Sequence, residues 1–492
     1  MTIIIEYDEY ELKSLEEYGI KIIHAENREK LEEYIITELK NEKYVVAVYN
    51  EAWQDYPRIL EKIKEYGINH YRFLPIDTRE FLFLQDLTPK DLVLAKYYYL
   101  LTSMASNAQF KLTTKKKVSR RALLRSPITS VREYVGAPLL LNTDICASWK
   151  NCKLCIDSCP YDALKGKPPL VDLDKCTGCG VCTAFCPFGL LYMPGANIRS
   201  FENFIKALRN KSNKPILLIA SCYYAVEQLI RELEGLGGLD YPTVILPVEC
   251  PGWITEVHLL QAAALDSYVL LYCDNETLSK CGSTEYIEQW LTNLRDLPVN
   301  DKLVKPGELA VHLEHLLKVK KTRFLPDYSL SKDKTNAYKI LAGYGIKKIG
   351  FSSPIVGRVV VDETKCILCE ACSNMCTFNA LKLQNKEDKV ELVFYPEKCT
   401  VCGMCEYSCP YTAIDISYTF DLEEYHKGAI TLATDKIARC KRCGRPIGSY
   451  KHIKAIEEKL KKSGVDKKVL ESIWYCQECK VLRLIEEKMK KS

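Results

Sequence analysis

Two runs decide how this chain folds: Cys366-Ile-Leu-Cys369-Glu-Ala-Cys372-Ser-Asn-Met-Cys376 and Cys399-Thr-Val-Cys402-Gly-Met-Cys405-Glu-Tyr-Ser-Cys409-Pro410. Each has the spacing C-x2-C-x2-C-x3-C, which is that of thiolates holding four-iron, four-sulfur cubes. The spacing has a physical reason. Three thiolates on one tight loop cap three irons of a cube. The fourth is expected to open a helix that carries it to the neighbouring cube, so each of two adjacent runs lends one ligand to the other. The third and fourth clusters should therefore be held by Cys366, Cys369, Cys372 and Cys409, and by Cys399, Cys402, Cys405 and Cys376. Thr377 replaces the proline that usually follows the fourth cysteine, which removes a helix-start signal but no ligand.

The same pattern stands earlier in the chain, as Cys146, Cys152, Cys155, Cys159-Pro160 and Cys176, Cys179, Cys182, Cys186-Pro187. Crossing assigns Cys146, Cys152, Cys155 and Cys186 to the first cluster, and Cys176, Cys179, Cys182 and Cys159 to the second. Five residues separate Cys146 from Cys152 where two are usual, so a bulge is expected at 147–151. Both pairs of runs carry the signature of bacterial two-cluster ferredoxins. Structural zinc takes four ligands in two short pairs, not eight in this pattern. Disulfides need an oxidising compartment, and nothing in the sequence reads as an export signal.

All 24 cysteines fall into four groups, and two groups remain. Between the ferredoxin-like modules the chain alternates strands and helices, which argues for a parallel sheet. Cys222, Cys250 and Cys273 each end an expected strand, and Cys281 follows on the next helix. In a parallel sheet the three strand ends meet at the carboxyl edge, the usual place of a functional crevice. Four thiolates there suit a [2Fe-2S] cluster, with buried structural cysteines or a redox-active disulfide between Cys273 and Cys281 as the competing readings. At the C-terminus Cys440-Lys-Arg-Cys443 and Cys476-Gln-Glu-Cys479 form C-x2-C…C-x2-C on two expected knuckle turns, with a helix between them broken near Ser463-Gly464. That is a zinc-ribbon-like site for one Zn(2+), which stabilises folding and does no chemistry; rubredoxin-like iron uses the same spacing.

The N-terminal region repeats the α/β pattern without cysteines. Phe73-Leu-Pro-Ile-Asp77 matches Ile245-Leu-Pro-Val-Glu249 at an offset of 172 residues, which would set Asn50 where Cys222 stands and Thr78 where Cys250 stands. The expected organisation is thus a multidomain α/β plus α+β chain, with two parallel-sheet α/β domains alternating with two 2[4Fe-4S] ferredoxin-like modules. Its parts are a ligand-free α/β domain at 1–110, a basic linker at 111–136, a ferredoxin module at 137–200, an α/β domain with four cysteines at 213–317, a linker at 318–354, a second module at 355–420 and a zinc-ribbon-like domain at 435–492.

Composition excludes other classes. A net charge of +5 over 492 residues gives no field for nucleic acid. No run of 18 apolar residues is present to span a membrane. No Walker A loop and no dinucleotide fingerprint follows a strand. The seven histidines do not cluster with spare carboxylates in a metal spacing. The expected location is the cytoplasm, with peripheral attachment at the inner face of the membrane as the variant.

The segment 214–300 resembles the iron–sulfur delta subunit of methyl-viologen-reducing hydrogenases, through Ile-Ala-Ser-Cys222, Cys250-Pro-Gly and the pair Cys273 and Cys281. It departs from that family where Tyr223-Tyr224 stand in place of an extra cysteine. The resemblance implies a [2Fe-2S] centre and electron delivery to a heterodisulfide reductase. The whole, polyferredoxin plus delta-like domain plus terminal ribbon, is similar to the large iron–sulfur subunits of such complexes. It implies a non-catalytic electron-transfer component, with four [4Fe-4S] clusters, one [2Fe-2S] cluster and one zinc. Its catalytic partner would be a hydrogenase, a heterodisulfide-reductase-like complex or a molybdopterin oxidoreductase. A thiol/disulfide or persulfide redox enzyme at Cys222, Cys250, Cys273 and Cys281 is the rival, and a scaffold the third reading.

Overall fold

The computed structural model describes residues 3–6, 12–41, 43–105, 138–140, 146, 152–172, 174–186, 191–193, 198–237, 239–274, 287–288, 291–294, 299, 302–317, 337–350 and 356–489. Cys281, the expected bulge at 147–151, the basic linker at 111–136 and residues 318–336 of the second linker lie outside them. The chain divides into two compact units, 1–344 and 345–492.

The first unit contains two four-stranded parallel sheets. One is built from β1 (Ile3–Glu6), β2 (Lys21–His24), β3 (Val45–Tyr49) and β4 (Phe73–Asp77), in the order β2-β1-β3-β4. The other is built from β5 (Ile216–Cys222), β6 (Thr243–Val248), β7 (Ser267–Tyr272) and β8 (Leu303–Val304), in the order β6-β5-β7-β8. Strands β3 to β8 are buried along their whole length. That is why they read as unbroken apolar runs, since a parallel sheet is covered on both faces. Helices α1 (Arg28–Lys40), α2 (Ala52–Glu65) and α3 (Pro89–Ala105) accompany the first sheet. Helix α4 (Ile198–Arg209) precedes the second sheet, which α5 (Val226–Gly235) and α6 (Glu256–Ala264) then accompany.

Both sheets have one topology, with the second strand at one edge, then the first, third and fourth. By that topology the counterpart of Cys222 is the end of β1, and Asn50, directly after β3, corresponds to Cys273 after β7. The match of β3 and β4 to β5 and β6 at an offset of 172 therefore pairs strands that are not topological equivalents. Short buried apolar strands are interchangeable in sequence, whereas the order of crossovers is not. A second difference lies after Cys250. The sequence reads as one helix opened by Pro251-Gly252 and running through Ala264, but Pro251–Trp253 forms one 3-10 turn, Ile254 is extended, and α6 starts afresh at Glu256 behind its N-cap Thr255.

Aromatic rings and polar side chains join the two α/β halves, among them His70 with Glu249 at 2.7 Å and Ser212 donating to Asp86 at 2.8 Å. Tyr223, directly after Cys222, stacks on Tyr56 of α2 at 4.9 Å. Tyr99 of α3 meets Phe204 of α4 at 5.2 Å. Arg79 donates to both oxygens of Glu227, at 3.1 and 2.6 Å, and to Asp77, which is wholly buried. Burial alone would raise the Glu227 carboxyl, but Arg79, Gln54 and Arg231 hold it below the usual carboxylate range. The stability this adds is full above the unfolded carboxylate value and is lost as pH falls through the lower folded one. Arg79→Met strands two carboxylates and is expected to cost about 3 kcal/mol. Urea titrations at pH 7 and near pH 3 should show the difference from the parent chain shrinking in acid; an equal difference at both values would disprove this role.

In the second unit β9 (Arg358–Val361) pairs antiparallel with β12 (Ile414–Ser417). The hairpin β10 (Leu381–Lys386) and β11 (Lys389–Phe394) connects the two cysteine runs. Strand β13 (Ile430–Arg439) adds to β11, and β14 (Pro446–Ser449) to β13, so one sheet runs from the ferredoxin-like module into the C-terminal segment. Hydrogen bonds thus cross the boundary expected between 420 and 435. Helix α7 (Tyr450–Lys462) stops at Ser463 and left-handed Gly464, where the break was expected; α8 (Gln477–Met489) closes the described chain.

Candidate metal and electron-transfer centres

Each cysteine run of the second unit is held by local geometry. Asp362 accepts the backbone N–H of Thr364 with its carboxylate at 3.0 Å and that of Cys366 with its carbonyl at 2.9 Å, which sets the loop entry. Leu368 and Glu370 then adopt positive φ, 54° and 67°, and Val401 and Gly403 do so in the next run, at 56° and 72°. Left-handed backbone is costly for a branched side chain such as valine. Left-handed Val401 donates its N–H to Cys399 Sγ at 3.4 Å, and Ala380 and Ala413, directly after left-handed Asn379 and Thr412, donate to Cys376 Sγ at 3.2 Å and Cys409 Sγ at 3.3 Å.

In all four runs the short helix comes before the fourth cysteine: Leu154–Asp157 before Cys159, Val181–Ala184 before Cys186, Ala371–Met375 before Cys376 and Met404–Tyr407 before Cys409. The third thiol rides on that helix, and Cys159, Cys376 and Cys409, whose following residues are described, leave its C-terminal end into a turn instead of opening a helix. Thr377 can therefore stand where proline is usual, because a turn rather than a helix start is built there.

The crossing itself is present in the geometry. Cys366, Cys369, Cys372 and Cys409 line one pocket, walled by Leu368, Leu383, Leu392 and Ile414. Cys376, Cys399, Cys402 and Cys405 line another. In the first unit Cys155 lies among Cys146, Cys152 and Cys186, and Cys182 among Cys159, Cys176 and Cys179, with Cys155 of the adjacent set also close to it. Burial, reinforced by neighbouring thiols, pushes Cys155, Cys372 and Cys399 up to about 12. Such thiols are neutral unless a cation displaces their protons, which iron does outright. Apolar walls, four sulfurs and backbone donors aimed at them fit a sulfide-bridged iron cluster. Two cations that the sequence did not flag stand beside the first and third sets, Lys167 at Cys146 and Lys451 near Cys366.

At the second parallel sheet, Cys222 is the last residue of β5, Cys273 follows β7 directly and Cys250 lies two residues past β6. All three are buried at the carboxyl edge, as expected. A bond from the Cys273 side chain holds the Cys222 thiol down; burial opposes this, and the N–H groups of Asp274, Ala225 and Tyr224 add to it. In the cysteine-free half the polar residues at the corresponding edge form a sealed network, with buried Lys96 paired to Glu80 and Trp53 donating to the same carboxylate at 3.3 Å.

At the C-terminus the four thiols of Cys440, Cys443, Cys476 and Cys479 lie within 4.8 Å of one another, and Cys443 Sγ is 3.6 Å from Cys476 Sγ. A tetrahedron with metal–sulfur arms of ~2.3 Å has edges of about 3.8 Å, so the set fits a four-sulfur site. The first pair sits on a turn as expected, but the second lies at the start of α8 rather than on a second knuckle. Burial pushes the Cys440 thiol up, but the N–H groups of Cys443, Cys476 and Arg442 outweigh it and bring it to about 6.

These sites define a chain with ferredoxin-type 4Fe-4S binding domains. The model of a 4Fe-4S dicluster domain matches residues 365–413, and models of 4Fe-4S binding domains match 169–192 and 143–162. Three curated relatives agree on that part. The methylamine utilization ferredoxin-type protein MauM of Methylobacillus flagellatus is 34% identical over 74 residues, 12% of this chain and 32% of its own. An uncharacterized ferredoxin of Methanocaldococcus jannaschii is 35% identical over 65 residues, 13% of this chain and 39% of its own. The ferredoxin-type protein NapF of Haemophilus influenzae is 39% identical over 49 residues, 8% of this chain and 28% of its own. The chain thus spans 28 to 39% of the length of these relatives. Among the described residues no helix is long and apolar enough to cross a membrane.

Proposed function

We propose that the chain is an iron–sulfur electron-transfer subunit, relaying electrons between a redox partner and a catalytic subunit. The observation that carries this reading is the crossed meeting of thiols into four sets of four inside segments that match 4Fe-4S binding domains. In this reading the four sets hold four [4Fe-4S] clusters with the crossed ligands given above. Cys222, Cys250 and Cys273, with Cys281, hold a [2Fe-2S] cluster in a delta-subunit-like domain. Cys440, Cys443, Cys476 and Cys479 hold structural zinc. Each cluster supplies one-electron chemistry; the protein sets its potential through N–H bonds to sulfur, nearby charge and exposure. The partner is a hydrogenase, heterodisulfide-reductase-like or molybdopterin oxidoreductase complex in the cytoplasm, or one attached at the inner face of the membrane. The contact of Cys222 with Cys273 favours one second reading, thiol/disulfide or persulfide chemistry at the sheet edge.

Iron, acid-labile sulfide and zinc per chain separate the two, measured with EPR on anaerobically purified protein. About eighteen irons and one zinc fit the electron-transfer reading in full. About sixteen irons without a [2Fe-2S] signal move the sheet-edge thiols to the second reading. No iron at all would end both the cluster assignment and the relay.

A further inference from the structure

The turn that follows Cys250 touches a cluster loop directly. Trp253 is 2% exposed and its indole Nε1–H donates to the Gly178 carbonyl at 2.6 Å. Its backbone N–H donates to the Cys250 carbonyl at 3.0 Å. Gly178 in turn directs its own N–H at the Cys176 thiol. One residue therefore bonds at one end to the cysteine of the sheet edge and at the other to the peptide between two thiols of the second 4Fe-4S set. Two glycines make the approach possible. A Cβ on Gly252 would lie 2.8 Å from the Cys179 carbonyl oxygen, and one on Gly180, which is left-handed, 2.7 Å from Trp253 Cδ1. The sequence gives each glycine a local excuse, a turn after proline and a loop between cysteines. Only the fold shows that they face each other.

We infer that the turn Cys250-Pro251-Gly252-Trp253 is the bridge across which the sheet-edge site exchanges electrons with the cluster of Cys159, Cys176, Cys179 and Cys182, and that Trp253 is its positioning residue. This rests on the electron-transfer reading. The step moves one electron: one centre is oxidised as the other is reduced, and no bond forms or breaks. Trp253 touches neither centre. It anchors the Gly178 carbonyl, in the peptide that leads to Cys179, and so steadies the residue whose own N–H bonds to the Cys176 sulfur; N–H bonds to ligand sulfur are a recognised control on cluster potential. Indole N–H groups in apolar surroundings find one such acceptor, and removing the donor leaves the ring's packing largely in place when phenylalanine replaces it.

The test uses the full chain, purified anaerobically, with Trp253→Phe and, as a second variant, Gly252→Ala, which keeps the indole but forces the two loops apart. Three things are read: iron per chain, the potential of each centre by EPR-monitored titration, and the rate at which the sheet-edge centre is reduced after mixing with dithionite. The expected result is unchanged iron, a shifted potential for one of four cubane clusters, and reduction of the sheet-edge centre slowed about tenfold. Unchanged potentials and an unchanged rate in Trp253→Phe, with iron intact, overturn the inference. If that variant loses iron, Gly252→Ala decides by the same two readings. Four cubanes without a sheet-edge centre in the parent chain overturn the bridge and leave the relay standing. A parent chain without iron overturns the relay itself.

Discussion

Cys476→Ser is expected to release one zinc ion per chain and to unfold residues 440–489, β14 included, while strands β10, β11 and β13 stay folded. The reason is the size of the core. Among the described residues from 440 onward, the buried apolar side chains are Cys440, Ile453 and Cys479. Three such residues cannot offset the ordering of two long helices, and segments this poor in core are held by metals or cross-links. The ion pairs do not compensate. Arg442–Glu486, Arg445–Glu478 and Arg483–Glu471 are well made, at 2.7, 2.6 and 2.9 Å, but the first two are exposed and the third is half-exposed, and exposed pairs contribute ~0–1 kcal/mol each. Structural zinc contributes ~10–16 kcal/mol of apparent binding energy in small domains at neutral pH. Strands β10, β11 and β13 have a core of their own around Val390, Leu392, Phe394 and Ala433. Hydrogen exchange should therefore lose protection in α7 and α8 and keep it in β11. Acid should act in the same direction, because the proton competes with zinc for the four thiolates. Full protection of α8 in a zinc-free variant would show that the segment folds on packing alone.

Cys159→Ala is expected to remove the second cluster, although Cys159 lies in the first run, and Cys186→Ala the first. Loss of one thiolate of four leaves an iron without its protein ligand, and the expected cost is the whole cube, about four irons per chain. Pairs of substitutions make the assignment independent of spectral overlap. Cys159→Ala combined with Cys176→Ala should lose no more iron than either alone, because both hold one cube. Cys159→Ala combined with Cys155→Ala should lose about eight, because they hold two. The opposite pattern would mean that each run holds its own cluster and that the crossing is wrong. The same design applies to Cys376 with Cys399 and with Cys372. In the first module the cost should stay local: Leu164, Cys182 and Leu191 form the small buried cluster against which Cys155, Cys159 and Cys186 pack, so hydrogen exchange of the two parallel sheets should be unmoved.

What the sequence by itself determined is the chemistry of short range. Spacing within a run is a property of a dozen residues, so the four cysteine runs were legible before any fold was known, whereas the helix expected after the fourth cysteine was not built at Cys376 or Cys409. The alternation of buried strands and helices was legible for the same reason, as was the break at Ser463-Gly464. The tertiary structure decided everything that depends on which segments meet. It set the order of strands that makes Asn50 the counterpart of Cys273, and it joined β11 to β13 across an expected boundary. It buried Lys96 against Glu80 and brought Trp253 onto Gly178, 75 residues away in the chain. Local spacing is enforced by covalent geometry and turns. Apolar strands of similar composition, and a tryptophan whose partner is a backbone carbonyl, carry no mark of their neighbour, because packing and hydrogen bonding to the main chain select by shape and position rather than by residue identity.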